Sequence, residues 1–174
     1  MLSSYCSCPS VSLLLVSLLF MMACGSNEAT QRSDSNQGLP SVNSETLSKG
    51  SMSGFNGQRS EVVIHEQEQF REFWQSLSGG LNSDEDSIPD VDFDTFMVVG
   101  VSMGEQPSSG YDITIQAIEH QEDADQLKVS VLETKPGPTC MNMTVMTHPH
   151  HIIKLNRQDA ELVFDYQTEV KDCD

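Results

Sequence analysis

Positive charge is scarce in this chain. Nine Lys and Arg stand against 26 Asp and Glu among 174 residues, for a formal net charge of −17. Such a balance argues against a nucleic-acid surface or a dock for anionic lipid headgroups, since both polyanions would be repelled. Also missing is an apolar run of the ~20 residues that a membrane-spanning helix needs. No repeat is visible. There is no His-Glu-x-x-His, no phosphate-cradling glycine loop, and no carboxylate pair that rises above the acidic background. Ser109, His148 and Asp165 are the residue types of a hydrolytic triad, but nothing in their order assigns nucleophile, base and orienter. No cofactor and no small-molecule substrate is therefore expected, and the chain reads as non-catalytic.

What the chain does have near its start is one charge-free apolar stretch, Val11 to Ala23, followed at once by Cys24 and Gly25. That length suits the h-region of an export signal. The junction Met21-Met22-Ala23-Cys24 resembles a bacterial lipobox, in which the cysteine is diacylated and becomes the mature N-terminus. Residues 1–23 thus read as a lipoprotein signal peptide and Cys24 as the lipidation site, with palmitate-type chains that anchor stably where a single chain would not. Gly25 and Ser26 in place of Asp point to the outer membrane of a Gram-negative envelope. All nine cations and all 26 acids lie beyond Cys24, so the mature chain keeps the whole charge.

Of the five cysteines, Cys6 and Cys8 fall in the leader and Cys24 is the lipid site. That leaves Cys140 and Cys173, an even pair in an oxidising compartment, read as one disulfide. The alternatives are two free thiols or half of a metal site, and neither has a Cys-x-x-Cys partner here.

Residues 24–60 are Ser, Asn, Gln, Gly and Thr with hardly an aliphatic side chain. They cannot bury enough apolar surface to offset ordering entropy, so a disordered tether is expected. Its root-mean-square reach is on the order of 30–36 Å. Residues 61–174 then form one domain's worth of sequence. Glu61-Val62-Val63-Ile64-His65 is β-prone. Phe70, Phe73, Trp74 and Leu77 follow at i, i+3, i+4 and i+7, the apolar face of a helix. Thr95 to Met103 reads as a central strand. Tyr111 to Ile118 and Leu127 to Glu133 alternate with period two, and His150–Leu155 and Glu161–Tyr166 supply two more strands. The fold class is α+β: a small β-rich sandwich or half-barrel with one N-terminal helix.

Two ordered series carry a family resemblance. The first is Ser87-Ile88-Pro89-Asp90-Val91-Asp92-Phe93, a strand, then Gly104-Glu105-Gln106-Pro107-Ser108-Ser109-Gly110-Tyr111. The second is Lys135-Pro136-Gly137-Pro138, a cysteine, His148-Pro149-His150 and Leu162-Val163-Phe164. Together they resemble the PrcB C-terminal domain family of bacterial lipoproteins, named for a subunit of a spirochaete surface protease complex, over about 61–173. The resemblance implies a non-catalytic domain that binds an envelope protein, with a protease or its complex as the partner class. The family's turn is commonly Thr-Gly-Gly-Tyr, where this chain has Ser-Ser-Gly-Tyr. The turn Pro107, Ser108, Ser109, Gly110 and Tyr111 is the partner-binding candidate, set against a plain hairpin turn with a packed tyrosine. Its Pro-x-x-Gly-Tyr pattern also resembles one loop of chagasin-type cysteine-protease inhibitors, which makes protease inhibition a further alternative.

A last cluster is Met141, Met143, Met146, His148, His150 and His151. Thioethers and imidazoles suit copper, which makes a periplasmic copper-binding module the alternative function. Against it, Met141 and Met143 alternate as core-filling strand residues would, and His148 and His150 flank a proline in a turn.

Overall fold

In a computed structural model of the chain the described residues are 41–54, 57–78, 88–121 and 125–173. The expected signal peptide and the candidate lipidation site Cys24 lie outside them, as do Gly79 and Gly80. Among the described residues seven strands and one helix run in the order β1 (Ser44–Gly50), β2 (Ser60–Ile64), α1 (Gln67–Leu77), β3 (Phe96–Ser102), β4 (Asp112–His120), β5 (Gln126–Pro136), β6 (His150–Asn156) and β7 (Glu161–Lys171). They make a four-stranded sheet, β1-β6-β3-β2, and a three-stranded sheet, β4-β5-β7, which do not close into a barrel. Pairing is antiparallel except between β5 and β7.

The apolar run of β3 follows from its position between two layers. Met97, Val99 and Val101 join Ile113, Leu127, Val129 and Ile153 in the core between the sheets. On the opposite face Val98 and Ile152 pack with Ile64, Phe70 and Leu77 beneath α1. A strand buried on both faces has no polar phase, hence the unbroken run. The helical stripe does what its spacing requires: Phe70 is fully buried, with its ring 5.4 Å from Trp74 and 5.6 Å from Phe93.

The expected tether does not extend to residue 60. Ser44–Gly50 is strand β1, paired with β6 and bulged between Thr46 and Ser48. Ahead of it the Val42 amide donates to Ile118 O at 2.8 Å. The apolar content of Ser-Glu-Thr-Leu-Ser-Lys-Gly is one leucine, so burial alone would not hold it. Side chains do the rest: Lys49 reaches Asp112 at 2.9 Å, Lys154 reaches Glu45 at 2.9 Å, and Thr46 and Ser48 bond two histidines of β6.

The alternation of β5 carries a charge into the core. Leu127, Val129, Val131 and Glu133 share the inward phase, and Glu133 is 1 % exposed. Arg59, just before β2, meets its Oε1 at 2.5 Å and stacks on the Tyr166 ring at 4.6 Å. Burial, with the Glu61 carboxylate beside it, pushes the Tyr166 hydroxyl well above its ordinary range.

Candidate functional site

Two loops that are distant in sequence meet at one end of the sandwich. The first, 103–111, leaves β3, and its Met103 amide donates to Pro149 O at 3.0 Å. Gln106 and Thr147 exchange both backbone hydrogen bonds, at 2.8 and 2.9 Å. The Thr147 hydroxyl donates to Ser108 O at 2.9 Å, and Thr147 is 2 % exposed. Further along, the Ser109 amide donates to Met143 O at 3.0 Å while the Met143 amide donates to Ser109 Oγ at 2.9 Å. Gly110 has φ 94°, and a Cβ there would lie 2.6 Å from Asn142 Oδ1 and 3.0 Å from Pro136 Cβ. Positive φ and close approach together select glycine. Gly110→Ala is expected to destabilise the domain by about 1–2 kcal/mol from backbone strain alone, measurable by urea unfolding.

The second loop, 137–149, is tied at its base to the end of β7. Gly137 N donates to Lys171 O at 2.9 Å, Cys173 N donates to Thr139 Oγ1 at 3.0 Å, and Cys140 and Cys173 form the expected disulfide. Between these ties residues 141–146 are all exposed. Met141 is 100 %, Met143 71 %, Val145 40 % and Met146 46 % exposed. They are four of the seven large hydrophobic residues exposed among the described residues. Methionines 141 and 143 therefore do not fill a strand core: no strand runs through them, and the hydrogen bonds to Ser108 and Ser109 hold the loop outside the sandwich.

The six candidate copper ligands are not brought together. The thioethers point to solvent, whereas His150 and His151 are each 5 % exposed, at adjacent positions of β6 that face opposite ways. His150 lies 2.9 Å from Ser48 Oγ, and burial holds its imidazole below the ordinary value. The Ile115 amide donates to His151 Nδ1 at 2.9 Å. An N–H can donate only to an unprotonated nitrogen, so the ring proton sits on Nε2 and is given to Thr46 Oγ1 at 3.0 Å. Desolvation, then the Lys49 ammonium, lowers His151 from 6.5 to about 4, with Asp112 opposing and His150 reinforcing. His148 has its Nε2 3.8 Å from Glu105 Oε2. Among the described residues no group of three or more His, Cys, Asp or Glu is placed to hold a metal.

Ser109, His148 and Asp165 also stay apart in their bonding: Ser109 bonds Met143, and Asp165 pairs with Lys128 on β5 at 2.8 Å. Tyr111 packs against the core between the sheets and keeps part of its surface exposed. The sequence reading treated the turn at 107–111 and the Met/His cluster as separate candidates, but the fold makes the turn and the exposed methionines 141, 143 and 146 two halves of one platform and leaves His150 and His151 buried in β6. It also passed over Glu133, for which the inward phase set by Leu127, Val129 and Val131 was the available signal.

The model of the PrcB C-terminal family matches residues 97–156, from β3 through β6 and both loops. The resemblance read over 61–173 is thus matched over its middle part. No curated protein and no solved structure matches the chain.

Proposed function

We propose that this PrcB-like domain is a non-catalytic recognition module of a lipid-anchored envelope protein, and that the double loop of 106–111 and 137–147 is its contact surface. One observation carries the reading: an exposed methionine ridge on a loop that is clamped by a disulfide and by paired hydrogen bonds. Apolar side chains gathered on a surface mark interaction sites, and methionine adapts its shape to what it meets. A loop already fixed at its base loses little freedom on binding, so more of the contact energy appears as affinity. The lipid on Cys24 would hold the domain at a membrane, and the residues ahead of β1 would let it search. An envelope protease or its complex is the partner class that the family resemblance favours.

The test is capture from the protein's own envelope with wild type and with the triple variant Met141→Ser, Met143→Ser, Met146→Ser. The variant is expected to keep its circular dichroism spectrum and to retain at least about tenfold less partner, equivalent to about 1.4 kcal/mol. Undiminished capture by the triple variant would remove this surface from the reading.

A further inference from the structure

Strand β7 has eleven residues and, among the described residues, one partner strand. Its register with β5 runs unbroken from Gln126↔Glu161 to Pro136↔Lys171, with no bulge and no proline in β7. Among the described residues no strand covers its other edge. A long open edge is a template for another strand, and charges, bulges or proline normally block it. Here the acidic side chains turn back onto β5. Glu161 bonds Gln126 at 2.8 Å, Asp165 pairs with Lys128 at 2.8 Å, and Glu169 bonds Thr134 at 2.8 Å. Val163 and Val170 remain 38 % and 62 % exposed. The far end is fixed by Gly137 N donating to Lys171 O and by the disulfide at Cys173, so little order has to be gained on pairing.

We propose that β7 pairs edge to edge with β7 of a second copy of this chain, antiparallel and about a two-fold axis at Tyr166. Full overlap of residues 161–171 requires that centre. In this register Glu161 lies opposite Lys171 of the second copy at both ends, and Leu162 lies opposite its Val170 on the inward face. Val163 lies opposite its Glu169 on the outward face, where the glutamate stem covers the valine. Directly opposed pairs of opposite charge and of apolar side chains are the contacts that stabilise an antiparallel ladder. The strand thus complements itself, and the three-stranded sheets of the two copies become one sheet of six strands. Two acidic copies repel each other at long range, which makes the pairing weak and concentration-dependent. This surface is separate from the methionine platform, and the inference stands apart from the proposed recognition role.

The experiment uses the full-length chain expressed in its own envelope. Val163→Cys and Glu169→Cys together should give a covalent homodimer, because those positions are opposed across the axis, while either substitution alone should give none. Adding Lys171→Glu should cut the dimer about tenfold, and Glu161→Lys in the same chain should restore it. The proposal is overturned by a double cysteine variant that stays monomeric or cross-links to a different protein. Equal cross-linking by the single variants would overturn the register.

Discussion

Replacing Cys140 and Cys173 by serine is expected to cost the folded domain about 3–4 kcal/mol. The bond closes a separation of 33 residues, and the chain-entropy model gives that magnitude for a loop of such length. The loss should show as a lower urea midpoint with little change in slope. It should also be local in its effect on structure. Loop 137–149 would keep its bridge between Thr147 and Gln106 and the bonds of Met143 to Ser109, but its base would be held to the end of β7 by two hydrogen bonds, Gly137 N to Lys171 O and the amide at position 173 to Thr139 Oγ1. Partner capture should therefore fall along with stability, since the methionine ridge would no longer be pre-ordered. Capture that stays at the wild-type level in the folded serine variant would show that clamping does not contribute to recognition. A change in stability below about 1 kcal/mol would mean that the reduced unfolded chain is already restricted near these residues.

Acidification is expected to remove about 3 kcal/mol of stability through His151. The native ring is held neutral down to about 4, against 6.5 for the ordinary group, and each tenfold difference in proton affinity is worth about 1.4 kcal/mol. A lowered histidine means that the unfolded chain takes up the proton first. The contribution is therefore complete above pH 6.5, shrinks as pH falls from 6.5 toward 4, and is fully lost below that. Geometry gives the same direction: protonating Nδ1 would set its new N–H against the Ile115 N–H, and the nearby Lys49 ammonium opposes the charge. His150, lowered by burial, adds in the same sense, while Asp112 opposes. Urea unfolding of wild type and His151→Asn at intervals between pH 4 and 7 measures it, because the asparagine oxygen also accepts from Ile115 but does not titrate. The variant's profile should be flatter by close to one proton. Parallel profiles would exclude His151 as the source.

Those histidines show where sequence reasoning stopped. His148, His150 and His151 were legible as a metal-type cluster by composition. Whether such rings face solvent or core depends on what pairs beside β6, and that is β1, a segment whose own composition says tether. A polar edge strand is held by hydrogen bonds to a neighbour about a hundred residues away, so its local signal is weak. The extra length of β7, which runs on to Lys171, was missed for a similar reason. Beyond Tyr166 its residues are exposed and lack the alternation that marked the first half.

Patterns with a short period were readable because local geometry sets them. The stripe from Phe70 to Leu77 specified α1, the alternation at 111–118 and 127–133 specified β4 and β5, and the remaining even pair of cysteines specified the bond that the structure contains. By itself the chain thus determined a β-rich domain with one helix, closed by one disulfide, and the family it resembles. Only the tertiary structure decided that turn 107–111 and residues 141–146 share one platform, that the methionines face out while the imidazoles face in, and that Glu133 is buried against Arg59. Each of these depends on contacts between segments far apart in sequence, and such contacts are fixed by sheet pairing rather than by the pattern of any one segment.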